Sequence, residues 1–221
     1  MFEPCNEKAL KTLLAIESGD SISEVARKID ENRETIRRVV NSLEEGDYVE
    51  YDQGLSVVSP AVREAALSFL AASAAVSPPS IPEAYVLPHF AGLDFAYTSI
   101  DAVYVWTRGG YQVAREPADY PLFIAVDESD LEKWERFFDR FGIPIGQERQ
   151  LSEEVDGPIQ YVLEARETVK ADSVDGHPVI SIDDTLSFAR DHYATFQPAL
   201  DMLDRMYDDV ETTADYRRDS F

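Results

Sequence analysis

Between Asn6 and Val58 the spacing of apolar residues changes from a helical to an alternating period, and this restricts the fold more than any other feature of the chain. Leu10, Leu13, Leu14 and, less regularly, Ile16 recur at helical intervals, and Gly19 ends the run. Ser21-Ile-Ser-Glu-Val-Ala follows, with Ser23 expected as the N-cap of a short helix reaching Ile29. After a turn around Asp30–Asn32 a third helix begins. In it Ile36, Val40 and Leu43 fall at i, i+4 and i+7 and can face a core. Arg33, Arg37 and Asn41 share another face, with Arg38 about 100° to one side. Gly46 stops this helix. Tyr48-Val-Glu-Tyr then leads through Asp52-Gln-Gly to Leu55-Ser-Val-Val, a two-stranded hairpin turning at Gln53-Gly54.

The arginines are out of keeping with the rest of the chain. Its 43 acids and 20 bases give a formal charge of −23, a surface that repels nucleic acid and anionic membranes in ordinary buffer. A basic partner is one explanation. The other is a cytoplasm holding molar salt, favoured because the acids are scattered throughout and lysines stand only at positions 8, 11, 28, 133 and 170. Ser21–Leu43, by contrast, sets Arg27, Lys28, Arg33, Arg37 and Arg38 against Glu24, Asp30, Glu31 and Glu34, a balance of +1 that leaves −24 for the remainder. Arginine can hold phosphate and can contact guanine through two hydrogen bonds. Asn32 and Thr35 at the helix start, with Asn41 further along, add uncharged donors. The competing reading is a solvated face, with Arg37 or Arg38 paired to Glu34, Glu44 or Glu45 in surface ion pairs worth under about 1 kcal/mol.

Helix, short helix, turn, longer helix and hairpin is the winged helix-turn-helix order. The segment SISEVARKIDENRETIRRVVNSLEEGDYVEY resembles the second helix, recognition helix and start of the wing in small winged-helix domains of prokaryotic transcription regulators, of halophilic-archaeal type, and the likeness spans residues 5–59. The resemblance implies double-stranded DNA as partner. Asn32, Arg33, Thr35, Arg37, Arg38 and Asn41 would meet it, with Gln53 of the wing against the backbone. Affinity falls with a slope of about −0.9 per neutralised phosphate, so four contacts lose roughly three to four decades for a tenfold rise in salt. A homodimer on two half-sites is the expected remedy.

Residues 1–60 thus form one expected domain. Pro60 opens an alanine-rich helix over Ala61–Ala75, and Ser77-Pro-Pro-Ser-Ile-Pro follows as a linker, so that 61–83 connects to a second domain over 84–221. There, helices are expected at Thr98–Arg108, Ser129–Phe141, Asp183–Phe196 and, after Pro198 in a first-turn position, Ala199–Val210. Leu122–Val126 and Ile159–Leu163 read as strands, and Val169–Val174 with Pro178–Ser181 as a hairpin about Asp175-Gly176. The tail from Glu211 is expected to fray. The class is α+β.

This order, with IAVDESDLEKWERFFDRFG and VDGHPVISIDDTLSFARDHYATFQPALDMLD, resembles the minimal nucleotidyltransferase fold over roughly residues 93–210. In that family a Gly-Ser or Gly-Gly turn precedes a helix, and the next strand carries an Asp-x-Asp pair that holds Mg²⁺. Anchored on Val126-Asp-Glu-Ser-Asp-Leu, the metal positions fall at Pro121 and Phe123, which cannot ligate magnesium, and the turn is replaced by Tyr97-Thr-Ser. The resemblance therefore implies a non-catalytic domain without cofactor or metal, kept for dimerisation or for sensing a protein partner or small ligand. The combination is similar to antitoxin-like regulators of abortive-infection systems. The enzyme alternative is a Mg²⁺-dependent nucleotidyltransferase using Asp119 and Asp127; a third is a protein-interaction module.

Other residues narrow the field. Cys5 is the sole cysteine, which excludes an intramolecular disulfide and a cysteine zinc cluster, and His89, His177 and His192 lack metal-ligand spacing. No phosphate-cradling glycine motif or Gly-x-Ser-x-Gly occurs. Asp183-Asp184 suits a helix N-terminus and Asp208-Asp209 a solvated surface. Trp106, Tyr104 and Tyr111 near Arg108 and Arg115 could line a pocket, although core packing is the stronger reading. The N-terminus lacks a signal-peptide pattern, and the longest apolar run, Ala65–Val76, is too short to span a bilayer, so a cytoplasmic protein is expected.

Overall fold

A computed structural model describes residues 7–115, 120–147 and 159–207, and their mixture of helix and strand is consistent with the α+β class. The chain divides into two compact units. One comprises the described residues up to Leu93 together with Glu132–Pro144; the other runs from Asp94 to Leu131 and onward from Ile145.

The first unit opens with α1 (Glu7–Ala15), α2 (Ile22–Lys28), α3 (Arg33–Glu45), β1 (Val49–Tyr51) and β2 (Leu55–Val57), in the order the apolar periods require. Leu14, Val25, Ile36, Val40 and Leu55 are wholly buried, while Leu43, expected in the core, is half-buried. The cap of α2 is Ser21 rather than Ser23. The Ser21 N–H donates to Glu24 Oε2 at 2.6 Å and the Glu24 N–H to Ser21 Oγ at 3.2 Å, a reciprocal box that Ser23, already inside the helix, cannot form. Asp30 then adopts a left-handed φ of 49°, and the Asp30 and Glu31 N–H groups return to the carbonyls of Arg27 and Ala26. Asp47, at φ 58°, closes α3 in the same way after Gly46.

The hairpin is antiparallel, with Tyr51 opposite Leu55 across a three-residue loop. Its β2 edge is clasped by the α1–α2 loop: Gly19 N–H donates to the Leu55 carbonyl at 2.9 Å, and Leu55 N–H to the Asp20 carbonyl at 2.7 Å. A Cβ on Gly54 would stand 2.5 Å from the Gly19 carbonyl oxygen, so this close approach requires glycine. Further along, α4 (Pro60–Ala74) starts at its proline as expected. Arg63 on α4 donates to the carbonyls of Ile16 (3.0 Å) and Phe90 (3.3 Å). The second half of the expected linker is helical: α5 (Ile81–Val86) begins where the Glu83 carboxylate takes both the N–H (2.9 Å) and the hydroxyl (2.7 Å) of Ser80. A single turn of 3₁₀ helix, Leu87–Phe90, follows it.

The second unit contains β3 (Phe95–Tyr97), α6 (Ser99–Trp106) and β4 (Tyr120–Asp127). From there α7 (Leu131–Arg140) passes, from Glu132 onward, into the first unit, where Trp134, Phe137 and Phe138 are buried and Arg140 pairs with Glu64 of α4 at 2.6 Å. The second unit resumes with β5 (Ile145–Gln147), β6 (Ile159–Arg166), β7 (Asp172–Val174), β8 (His177–Val179), α8 (Ile182–Asp191) and α9 (Tyr193–Met206). Its sheet runs β5-β6-β4-β3-β8-β7. At its centre β4 lies parallel to β6 from Tyr120 opposite Ile159 to Asp127 opposite Arg166, and β3 runs antiparallel to β4. The β7–β8 hairpin turns at Asp175 (φ 50°) and Gly176 (φ 88°), where two consecutive left-handed residues match the twist of the strands. The last helical break falls at His192, so Pro198 stands inside α9 instead of in its first turn.

Candidate nucleic-acid interface

The 13-residue helix α3 carries six of the seven expected contact residues or their cap. Asn32 is its N-cap: Asn32 Oδ1 accepts from the Glu34 N–H at 2.9 Å, so only the amide NH₂ remains to face a partner. Arg33, Arg38 and Asn41 are exposed and Thr35 is half-buried. Arg37 keeps 42% of its side chain in solvent while pairing with Glu34 at 3.2 Å. Arg38 Nε donates to the Glu34 carbonyl at 3.3 Å. From Arg33 to Asn41 the rise is about 12 Å, roughly the reach of a few base pairs along a groove. The opposite face, Ile36 and Val40, is wholly buried. This division follows from the helical period and leaves the guanidinium groups outward.

The neighbouring bases are otherwise engaged. Lys28 is held by Glu17 (2.9 Å) and Asp20 (3.0 Å) with only 12% of its side chain exposed, and Lys8 pairs with Glu31 at 2.7 Å. Arg27 is exposed. Gln53, the seventh expected contact, is exposed on the hairpin loop between Asp52 and Gly54 and does not share an element with the other six. From Glu44 to Val58 the chain has acids at 44, 45, 47, 50 and 52 and no base, so the hairpin around Gln53 repels phosphate. Spacing alone gave no sign of this; the sign of the side chains did.

In the second unit Pro121 and Phe123 on β4, the positions matched to metal ligands, have their backbone groups bonded to α6 and Arg115. The Pro121 carbonyl accepts from Arg115 Nη1, and the Phe123 N–H donates to Asp101 Oδ2 at 2.8 Å. Asp101, in the first turn of α6, pairs with Arg115 at 2.7 Å, with side-chain exposures of 0% and 5%. Arg115 also lies over the Tyr120 ring, 4.5 Å from its centroid. Asp127 Oδ1 accepts from the Val169 N–H at 2.5 Å. Asp119 and Asp208-Asp209 lie outside the described residues. Nearby, Thr98 Oγ1 donates to Glu164 Oε2 at 2.8 Å, and Arg166 holds the same carboxylate at 2.7 Å. The aromatic and arginine group around Trp106 is dispersed: Trp106 is core, its Nε1–H donating to the Ile180 carbonyl, whereas Arg108 is exposed. Among the described residues no three of His, Cys, Asp and Glu gather as a metal site, and no helix is long and apolar enough to cross a membrane.

Comparison with protein-family models, curated proteins and solved structures finds no match to this chain.

Proposed function

We propose that this chain is a sequence-specific DNA-binding transcription regulator of a salt-adapted prokaryote, built as a winged helix-turn-helix followed by a nucleotidyltransferase-like domain without catalysis. The observation that carries the reading is α3: Arg33, Arg38 and Asn41 exposed, with Arg37 partly so beside Glu34, on a helix whose inner face is anchored by the wholly buried Ile36 and Val40, in a chain of charge −23. Placed in the major groove, Arg33, Arg37 and Asn41 would read base edges along one line, while Arg38 and Thr35 meet phosphate. Gln53 drops to a minor role because its surroundings are acidic. The clasp between the hairpin and the α1–α2 loop supports the fold assignment, since it ties the wing to the helical core. The second domain would dimerise the chain or sense a protein or small ligand, giving two half-sites to a cytoplasmic homodimer.

The test is fluorescence anisotropy of the full chain on labelled fragments from upstream of its own gene, titrated with KCl. Arg38→Ala is expected to weaken binding and to lower the salt slope by about 0.9, and Arg37→Ala, at a base edge, to cost about 1–3 kcal/mol and relax specificity with little change in slope. Unchanged affinity and slope in both variants would sink the assignment.

A further inference from the structure

We infer that the hairpin is a docking surface for an arginine-bearing protein segment, separate from the proposed DNA contact. Three large apolar side chains stand in solvent there: Tyr48 (46% exposed), Tyr51 (47%) and Val58 (47%). Tyr51 and Val58, with Val49, line a concavity of about 460 Å³ together with Glu44, Asp47, Glu50 and Asp52. Tyr48 lies against the end of α3, where a Cβ on Gly46 would come within 2.7 Å of its ring. The surface therefore offers aromatic faces and aliphatic area beside four carboxylates.

Local stability does not call for this arrangement. Glu44 and Glu45 occupy the last turn of α3, which holds no base, and Asp47 follows directly. The backbone dipole already concentrates negative charge at that end, so each carboxylate there is unfavourable without a cation. Among the described residues no lysine or arginine pairs with Glu44, Asp47, Glu50 or Asp52. A place where a sequence breaks a local rule without internal compensation is where a ligand is expected to supply it.

Charge complementarity fixes the occupant as cationic, and the exposed tyrosines favour arginine over lysine. A guanidinium can stack on an aromatic face while its edge reaches a carboxylate, and it gives up water more readily than an ammonium. Apolar residues between the arginines would cover Val58. The same carboxylates disfavour DNA on this surface. The segment belongs to a partner protein, and docking leaves the outward arginines of α3 free.

A chain of charge −23 attracts any polycation at low salt, so the experiment is done where that attraction is gone. At about 1 M KCl the screening length is about 3 Å, and only groups in contact still contribute. The probe is a short fluorescein-labelled peptide of alternating arginine and leucine, followed by anisotropy on the full chain, with the lysine–leucine peptide as comparison. Wild type is expected to retain binding of the arginine probe at this salt and to prefer it to the lysine probe. Tyr51→Ser, and separately Glu50→Gln with Asp52→Asn, should each lose about tenfold, whereas Arg37→Ala binds the probe as wild type does. All the altered side chains are exposed, and an unchanged circular dichroism spectrum confirms that each variant is folded. Binding that vanishes at high salt, or that persists equally in the hairpin variants, overturns the inference. DNA affinity measured on the same variants separates this outcome from failure of the regulator reading.

Discussion

Replacing Asp101 by asparagine should destabilise the second unit far more than replacing both partners of its buried ion pair. The carboxylate accepts from Arg115 Nη2 at 2.7 Å and Nη1 at 3.4 Å, and from the Phe123 N–H at 2.8 Å. Asparagine has nearly the same shape and keeps an acceptor for Phe123, but it strands the Arg115 charge, whose side chain is only 5% exposed. Breaking one side of such a pair costs about 3–5 kcal/mol. Adding Arg115→Met removes the stranded charge and fills its space with methylenes, and should restore at least about 2 kcal/mol, because a buried pair and an apolar substitute are nearly balanced. Each unit has one indole, Trp106 in the second and Trp134 in the first, so urea unfolding in a Trp134→Phe background reports the second unit through Trp106. Two results would refute the reasoning: Asp101→Asn within about 1 kcal/mol of its parent, or a double variant no more stable than the single one.

Two further outcomes concern the first unit, read through Trp134 in a Trp106→Phe background. Ser21→Ala should cost about 1 kcal/mol by opening the capping box of α2, and Ser23→Ala under about 0.5 kcal/mol, which distinguishes the two serines by urea midpoint. Lys11→Met should flatten the acid limb of stability. Burial raises the Glu83 carboxyl, but hydrogen bonds from Lys11 and Ser80 outweigh that and bring it from 4.5 down to about 2. A depressed carboxyl contributes stability above pH 4.5 and loses it as pH falls toward about 2, so the variant should lose less across that window. Glu83 is 42% exposed and solvent screens the pair, which keeps the difference small. Parallel midpoint curves would count against the Lys11 contribution.

Elements long enough to display a period were legible in the sequence, and short ones were not. The faces of α3 follow from Ile36, Val40 and the arginines between them, and the eight-residue β4 from its apolar run. By contrast β3 and β5 have three residues each, too few to show alternation, and are held in place by pairing with longer strands. Pro198 misled because proline was given its commonest helical position; in α9 it forgoes one backbone bond, while Phe196, Ala199, Leu200 and Leu203 bury that helix. The proline-rich linker hid α5, since Ser80 and Glu83 supply a start signal three residues apart amid Ser-Pro punctuation. The Asp101–Arg115 pair was beyond sequence reasoning altogether: it joins the first turn of α6 to a residue fourteen positions on, through burial that no local pattern encodes.

The charge order along α3 ties the two proposed surfaces together. Arg33 stands in the first turn, where the backbone dipole is positive, and Glu44 and Glu45 in the last, where it is negative. At the first turn Glu34 offsets Arg33, so only the C-terminal end is charged against the dipole, each carboxylate there costing about 0.3–1 kcal/mol at low salt. The helix holds through other means: Asn32 at one end, the Gly46–Asp47 turn at the other, and Ile36 and Val40 in the core. Molar salt shortens the range of every charge along this helix to about 3 Å. The same screening weakens long-range attraction to DNA and to a basic partner alike. What remains at high salt is contact, which is what outward arginines with an asparagine, and solvent-facing tyrosines beside carboxylates, can each provide at opposite ends of one helix.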